Sequence, residues 1–363
     1  MRWVPIQACQ PGMRLAKKVY NEEGLVLLGE QVELNDVYIR RLSTMGVTSV
    51  YIEDERTEGI EPVSLISEAT MRQANKTIRT EFKKLMDEGM SRKRPAYSTM
   101  SRAFLTVLDA IIDDLSSHND AMVMLNDIQT TDHYLFRHSL NVCIYSTLLG
   151  INYGYDREQL KVLSLGALLH DIGKTKIDLQ LLNKPSRLTD QEFNHVKRHA
   201  ELGYAILKDE PNVPLLAAHI AYQHHERLNG SGYPRQLKGN EIHDYAKWVA
   251  IADSYDAMTS HRIYRNAMLP HEVLEILYAG AGTLYEQPML SLFRDRIAVY
   301  PLGMTIELST GEIGVVASIN THCPQRPTVR ILYGPQGETV SQGKEIDLSR
   351  CLSTMIVGFT TEN

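Results

Sequence analysis

The chain has 363 residues, 43% hydrophobic and 23% charged, with a formal net charge of −6 at neutral pH. This length suits two or three domains, and the composition excludes a disordered, fibrous or disulfide-stapled chain. The acidic balance argues against a binder of nucleic-acid polymers, and no run approaches the roughly 18 apolar residues of a membrane span.

MRWVPIQACQPGM at the N-terminus has one Arg and no apolar stretch, so it does not read as a secretory signal. Residues 1–62 read as a small β-rich module: a strand around VPIQ, a hairpin over YNEEGLVLL and a strand at VTSVYI. NDVYIRRLSTMG reads as a short helix capped by Asn35 and ended near Gly46. Residues 63–119 read as a helical connector. SLISEATMRQANKTIRTEFKKLMDEGM has helical periodicity and a Ser-x-x-Glu-like start, and RAFLTVLDAIIDDL repeats the pattern after SRKRPAYS. That connector suits either a homodimer contact or packing on the next domain. Residues 120–297 are helical in pattern and hold eleven of the thirteen histidines. Residues 298–363 return to strands, with a hairpin in MTIELSTGEIGVVASI followed by TVRILYG. The expected fold is mainly α: an all-α core flanked by two small β modules. Cys9, Cys143, Cys323 and Cys351 form no CxxC, which argues against a zinc ribbon and suits a reducing, cytoplasmic setting.

Five polar intrusions interrupt the apolar helices of the central region. They are His138, the pair His170-Asp171, His199, the pair His224-His225, and Asp253. One histidine on such a face is usually a core or surface residue. Five intrusions, two of them adjacent pairs of ligand types, point to a metal. Imidazole plus carboxylate without thiolate suits Fe, Mn, Zn, Ni or Co. An adjacent His-Asp pair can place one carboxylate between two metals, an arrangement that makes a bridging hydroxide and clamps a phosphoryl group. Lys174 lies about one turn beyond Asp171, where a cation can neutralise phosphate oxygens.

LLHDIGK and HHERLNGSGYPRQLKGNEI resemble the two signatures of HD-GYP domains, a subfamily of the HD metal-dependent phosphohydrolases. The second matches HHE-x3-G-x-GYP-x4-G-x2-I at every fixed position, and ADSYDAMTSHRIYR follows it. The resemblance covers roughly residues 120–300 and implies an HD-type helical core. It implies a two-metal site, Fe or Mn first and Zn, Ni or Co as alternatives, held by His138, His170, Asp171, His199, His224, His225 and Asp253. Asp171 is the expected bridge. Lys174, Arg262 and Arg265 are expected on substrate phosphates, and Gly232 and Tyr233 at the cleft. The implied reaction is hydrolysis of cyclic di-GMP to pGpG, in some members on to GMP, and some members act on other cyclic dinucleotides. Some members hold a third metal with a glutamate one turn before the first histidine. Tyr134 stands there, with Asp132 and His133 at the wrong offsets, which favours two metals and pGpG as product.

Neighbouring residues have blander readings. His195 and His199 share a helix face at metal-binding spacing, but only His199 fits the motif. His219 reads as helix surface, and His243 and His261 as flanking, with His261 the nearer to substrate. Glu226 reads as a hydrogen-bond partner of a ligating histidine. Gly230, Gly232 and Pro234 read as a turn that contacts substrate, Arg262 and Arg265 as bidentate phosphate ligands. Asp256, close behind Asp253 and Tyr255, is the alternative ligand or a charge at a helix N-terminus, and Lys176 adds local positive charge or is solvated. Besides the phosphodiesterase, a cyclic-dinucleotide sensor with signalling-protein partners and a phosphohydrolase of another nucleotide fit the same residues. The GYP stretch counts against the last.

Overall fold

A computed structural model of the protein describes residues 1–20, 25–45, 47, 49–61, 65–88, 97–117, 134–260, 268, 270–297, 300–320, 322–340 and 343–359. Arg262, Arg265 and His261 lie outside them, as do Asp132 and His133 and the side chain of Tyr134. The chain divides into two compact units, and the division does not follow chain order.

The first unit joins residues 1–64 with 295–363. Strand β1 (Arg2–Pro5), β2 (Val19–Tyr20), β3 (Val26–Leu28), helix α1 (Asp36–Thr44) and β4 (Ser49–Ile52) come from the N-terminal stretch. β1 pairs antiparallel with β4, and β2 with β3. Asn35 caps α1 by accepting from the Tyr38 amide at 2.8 Å. Val4, Ile6, Leu15, Leu34, Leu42 and Ile52 form a shared core. From the C-terminal stretch, β5 (Thr305–Leu308), β6 (Ile313–Ser318), β7 (Thr328–Tyr333), β8 (Glu345–Asp347) and β9 (Ile356–Phe359) make an antiparallel sheet in the order β8-β7-β6-β5-β9. The sequence presents these as two separate modules, and the structure puts them in one. Ile60 is buried with Val315 and Leu332, the Trp3 amide donates to the Gly303 carbonyl at 2.7 Å, and Arg330 donates to the Glu58 carbonyl at 2.8 Å. The N-terminal stretch keeps a core of its own, and this second, smaller cluster joins it to the C-terminal sheet.

The second unit is helical. The connector forms α2 (Glu68–Glu88) and α3 (Tyr97–Ser116), and the unit includes residues 65–119 with 134–294. Ser67 caps α2, its hydroxyl accepting from the Thr70 amide at 3.1 Å. Phe82 meets Phe104 at 6.2 Å and Phe136 at 5.5 Å between ring centres, and Ile78, Leu108, Ile111 and Leu115 are buried beside them. These apolar residues of the connector are therefore used inside this unit.

The rest of the unit comprises α4 (Tyr134–Tyr153), α5 (Arg157–Leu169), a 3-10 turn (Ile172–Lys176), α6 (Leu179–Leu182), α7 (Asp190–Lys197), α8 (His199–Leu207), α9 (Leu215–Gln223), α10 (Asp244–Thr259), α11 (Pro270–Ala279) and α12, which begins at Gln287 and ends at Arg296. Asp156 and Thr189 open α5 and α7 with capping boxes. α10 is buried on nearly every side from Tyr245 to Asp256, as expected of a central helix. Small residues set the closest crossings. A Cβ on Gly166 of α5 would meet the Ile220 Cβ of α9 at 3.0 Å. No helix among the described residues is long and apolar enough to cross a membrane.

Candidate metal centre

His170 and Asp171 follow directly on the last residue of α5, His199 is the first residue of α8, and His224 caps the C-terminus of α9. His138 comes from α4 and Asp253 from α10. Helix ends leave backbone carbonyls without partners, and the histidines use them. His170 Nδ1 lies 2.7 Å from the Ala167 carbonyl, His199 Nδ1 2.7 Å from Val196, and His224 Nδ1 2.9 Å from Ala221. A carbonyl only accepts, so Nδ1 carries the hydrogen in all three rings. Nε2 then presents a lone pair toward the centre.

The lone pairs converge on Asp171, which is 1% exposed. Its Oδ1 lies 3.4 Å from His199 Nε2 and 3.9 Å from His224 Nε2. Its Oδ2 lies 3.4 Å from His170 Nε2 and 3.6 Å from His138 Nε2. Asp253 Oδ1 stands 3.1 Å from His138 Nε2 and 3.9 Å from His170 Nε2, and its Oδ2 3.8 Å from His225 Nδ1. The ligand atoms of Asp171, His199, His224 and His225 lie within 4.8 Å of one another, as do those of His138, His170 and Asp171. Two potential cation sites thus share one carboxylate.

The donor atoms fit cations better than they fit each other. His199 and His224 point Nε2 lone pairs at one another across 3.4 Å, with no hydrogen to share. His170 Nε2 and Asp171 Oδ1 are buried without a hydrogen-bond partner among the described residues. Buried acceptors facing acceptors are costly unless a cation lies between them.

Burial pushes His199 down to about 4 and holds His224 and His225 well below the usual imidazole range, helped by the neighbouring rings. All three are neutral at pH 7. Burial alone would raise Asp171, but the Lys174 ammonium at 2.5 Å and the His170 ring outweigh it and hold the carboxyl well below the carboxylate range. For Asp253 the His138 and His225 rings do the same against burial. His199, His224, His225, Asp171 and Asp253 are therefore ready to bind metal without first losing protons.

All seven residues expected as ligands meet in this centre. Lys174 faces it through Asp171. Tyr233 lines its His225 side, with ring centres 4.6 Å apart. Gly232 is packed on the segment that carries the histidine pair. A Cβ there would meet Glu226 Cα, the Arg227 amide and the His225 carbonyl at 2.5 Å each. Gly230 takes a left-handed φ of 81° and is half-buried. His195 is exposed on α7, and Lys176 is exposed as well. His219 is half-buried against Tyr204 at 5.1 Å, and His243 caps α10 by accepting from the Tyr245 amide.

Two expectations change. Glu226 does not hold a histidine: its carboxylate accepts from the Arg235 amide at 2.7 Å and the Leu237 amide at 3.0 Å, pinning the loop after the GYP segment. Asp256 is neither a ligand nor a helix-end charge. It accepts from His138 Nδ1 at 2.7 Å and from the Asn141 amide at 2.7 Å, which fixes the His138 ring with Nε2 inward. Asn141 was missed altogether, although it lies one turn beyond His138, a spacing that puts both on one helix face. Arg227 was missed too. It donates to the His224 and Glu226 carbonyls at 3.1 and 2.8 Å and reaches the Ser254 hydroxyl beside Asp253.

Residues 115–288 match the model of the HD domain, and residues 305–363 that of a KOW domain associated with HD domains. A cyclic di-GMP phosphodiesterase of Pseudomonas aeruginosa is 31% identical over 254 residues, 69% of this chain and 61% of that protein. A cyclic di-GMP phosphodiesterase of Thermotoga maritima is 39% identical over 43% of each chain. A 3'3'-cGAMP-specific phosphodiesterase of Vibrio cholerae is 36% identical over 51% of this chain and 43% of its own. The chain thus spans less than two thirds of the length of these relatives.

Proposed function

Because residues 115–288 belong to the HD domain family, we propose that the protein is a metal-dependent phosphodiesterase that hydrolyses cyclic di-GMP to pGpG. The observation that carries this reading is the carboxylate of Asp171, each oxygen of which faces its own pair of histidine nitrogens. His138, His170 and Asp253 would hold one metal with Asp171 Oδ2. His199, His224 and His225 would hold the other with Oδ1. Bound there, two divalent metals, Fe or Mn first, would turn water into a nucleophile at neutral pH and offset phosphoryl charge. Lys174, lying at the solvent side of Asp171, moves from that carboxylate to the substrate's phosphoryl oxygens as negative charge grows there. Tyr233 and Gly232, beside the histidine pair, would meet the substrate, and Arg262 and Arg265 remain the expected phosphate ligands. The four cysteines are free thiols, which suits the cytoplasm.

The reading is tested by anaerobic turnover of cyclic di-GMP with Fe(II) or Mn(II), with metal content measured on the same sample and cyclic GMP-AMP as competitor. Accumulating pGpG supports two metals and the effect of Tyr134. GMP alone would count against that product. Tight binding without any product would favour a sensor.

Two expected results concern His138. Asp256→Asn leaves the ring in place but weakens its hold, and should lower metal affinity about 10- to 100-fold in a chelator-competition titration. Burial alone would lower the pKa of His138, yet Asp253 and Asp256 raise it to about 9. Its Nε2 is therefore protonated at pH 7.5 in the metal-free protein, and metal must displace that proton. Loading should release about one proton from this residue at pH 7.5 and about half of one at pH 9, falling away above that, so affinity rises with pH over that window. Calorimetric titration in buffers of different protonation enthalpy measures the count. No release at pH 7.5 would show that His138 is neutral before loading or that its Nε2 is not a ligand.

A further inference from the structure

Lys197 is the last residue of α7, two positions before His199. Its ammonium lies 4.6 Å from the centre of the Phe193 ring and 5.4 Å from that of Tyr233. Phe193 and Lys197 are four apart on one helix face, so the pairing is built into α7. Tyr233 in turn lies 4.6 Å from the His225 ring and 6.3 Å from the His199 ring. Lys197 is thus one aromatic ring removed from the centre.

Three other cations of this region are neutralised or tied down. Lys174 pairs with Asp171, Lys184 with Glu192 at 2.7 Å, and Arg227 donates to backbone carbonyls. Lys197 has no carboxylate within ion-pair distance among the described residues. Ring faces orient an ammonium without cancelling its charge. Phe193 is 46% exposed, so the place is open at its rim.

A cyclic dinucleotide carries two phosphodiesters, and the metals take only the one that is cleaved. The other keeps its full charge and needs a donor when it leaves water. We propose that Lys197, positioned by Phe193 and Tyr233, binds the uncleaved phosphodiester of a cyclic dinucleotide. This rests on the phosphodiesterase reading and deepens it: the residue selects substrates with two phosphates over simple diesters.

The test compares wild type and Lys197→Met, both metal-loaded, on cyclic di-GMP and on bis(4-nitrophenyl) phosphate, a diester with one phosphate. KM for cyclic di-GMP should rise about 10- to 100-fold with little change in kcat, the sign of lost uniform binding. The preference for cyclic di-GMP over the small diester should fall by the same factor, and Lys197→Arg should recover most of it. An unchanged KM overturns the subsite, and so does an equal loss on both substrates, which would place Lys197 in the reaction itself. If wild type cleaves the small diester but neither binds nor cleaves any cyclic dinucleotide, the substrate reading fails and the subsite falls with it.

Discussion

Asp171→Asn is expected to lower turnover of cyclic di-GMP on the order of 10³-fold or more while the fold survives. Asparagine keeps the shape of the side chain but offers one oxygen and no charge. The half of the centre that faces Oδ1 and the half that faces Oδ2 then lose their shared anion, and one of them loses its oxygen ligand as well. Lys174 loses its ion pair, but it is 19% exposed in its side chain and can turn to water. Metal content should fall from two ions per chain to one or none, read by elemental analysis after gel filtration, and the loss of rate should track it. Alanine at the same position should behave alike in activity but leave a hole beside four histidines, and so unfold more readily. A variant with normal rate and two ions per chain would remove Asp171 from the bridging position and the two-metal reading with it.

That Asp171 mattered was legible in the sequence, because a buried acid beside a histidine is rare without a partner and the GYP stretch is long and specific. What holds the site was much less legible. His138 and Asp256 are 118 residues apart and meet at 2.7 Å, and nothing in either local pattern announces the other. Glu226 directly follows two expected ligands, so proximity in sequence pointed it at them, yet its burial beside two free amides turned it to the loop. The same limit applies to the β regions. Their strands were readable from alternation and turns, but their union in one unit depends on Ile60, Val315 and Leu332 finding each other across some 270 residues of chain. Local periodicity specifies elements, while the partner of each apolar face is a property of the packed chain.

Gly173→Ala should be the most damaging of the conservative changes around the centre, costing about 3 kcal/mol or more. Gly173 sits in the 3-10 turn directly after Asp171. A Cβ there would overlap the His199 carbonyl oxygen and come within 2.6 Å of the Gly203 nitrogen and 2.8 Å of the His199 carbonyl carbon. All three are backbone atoms, so no side chain can rotate away, and either the turn or the start of α8 must move. That movement separates Asp171 and Lys174 from His199, the pair of segments whose approach makes the second cation site. A displacement of about 1 Å at such a site can cost on the order of 10²-fold in rate. Denaturant unfolding and metal content should therefore fall together. The facing glycine supplies the control. A Cβ on Gly203 would find its nearest atom, the Gly173 nitrogen, at 3.4 Å and Ala221 Cβ at 3.5 Å, ordinary contacts. Gly203→Ala should keep its stability and its metals. If the two variants behaved alike, the close approach at Gly173 would not be what joins the HD turn to the α8 histidine. The glycine of HDIGK is then a packing requirement of the metal centre as much as its histidine and aspartate are requirements of its chemistry.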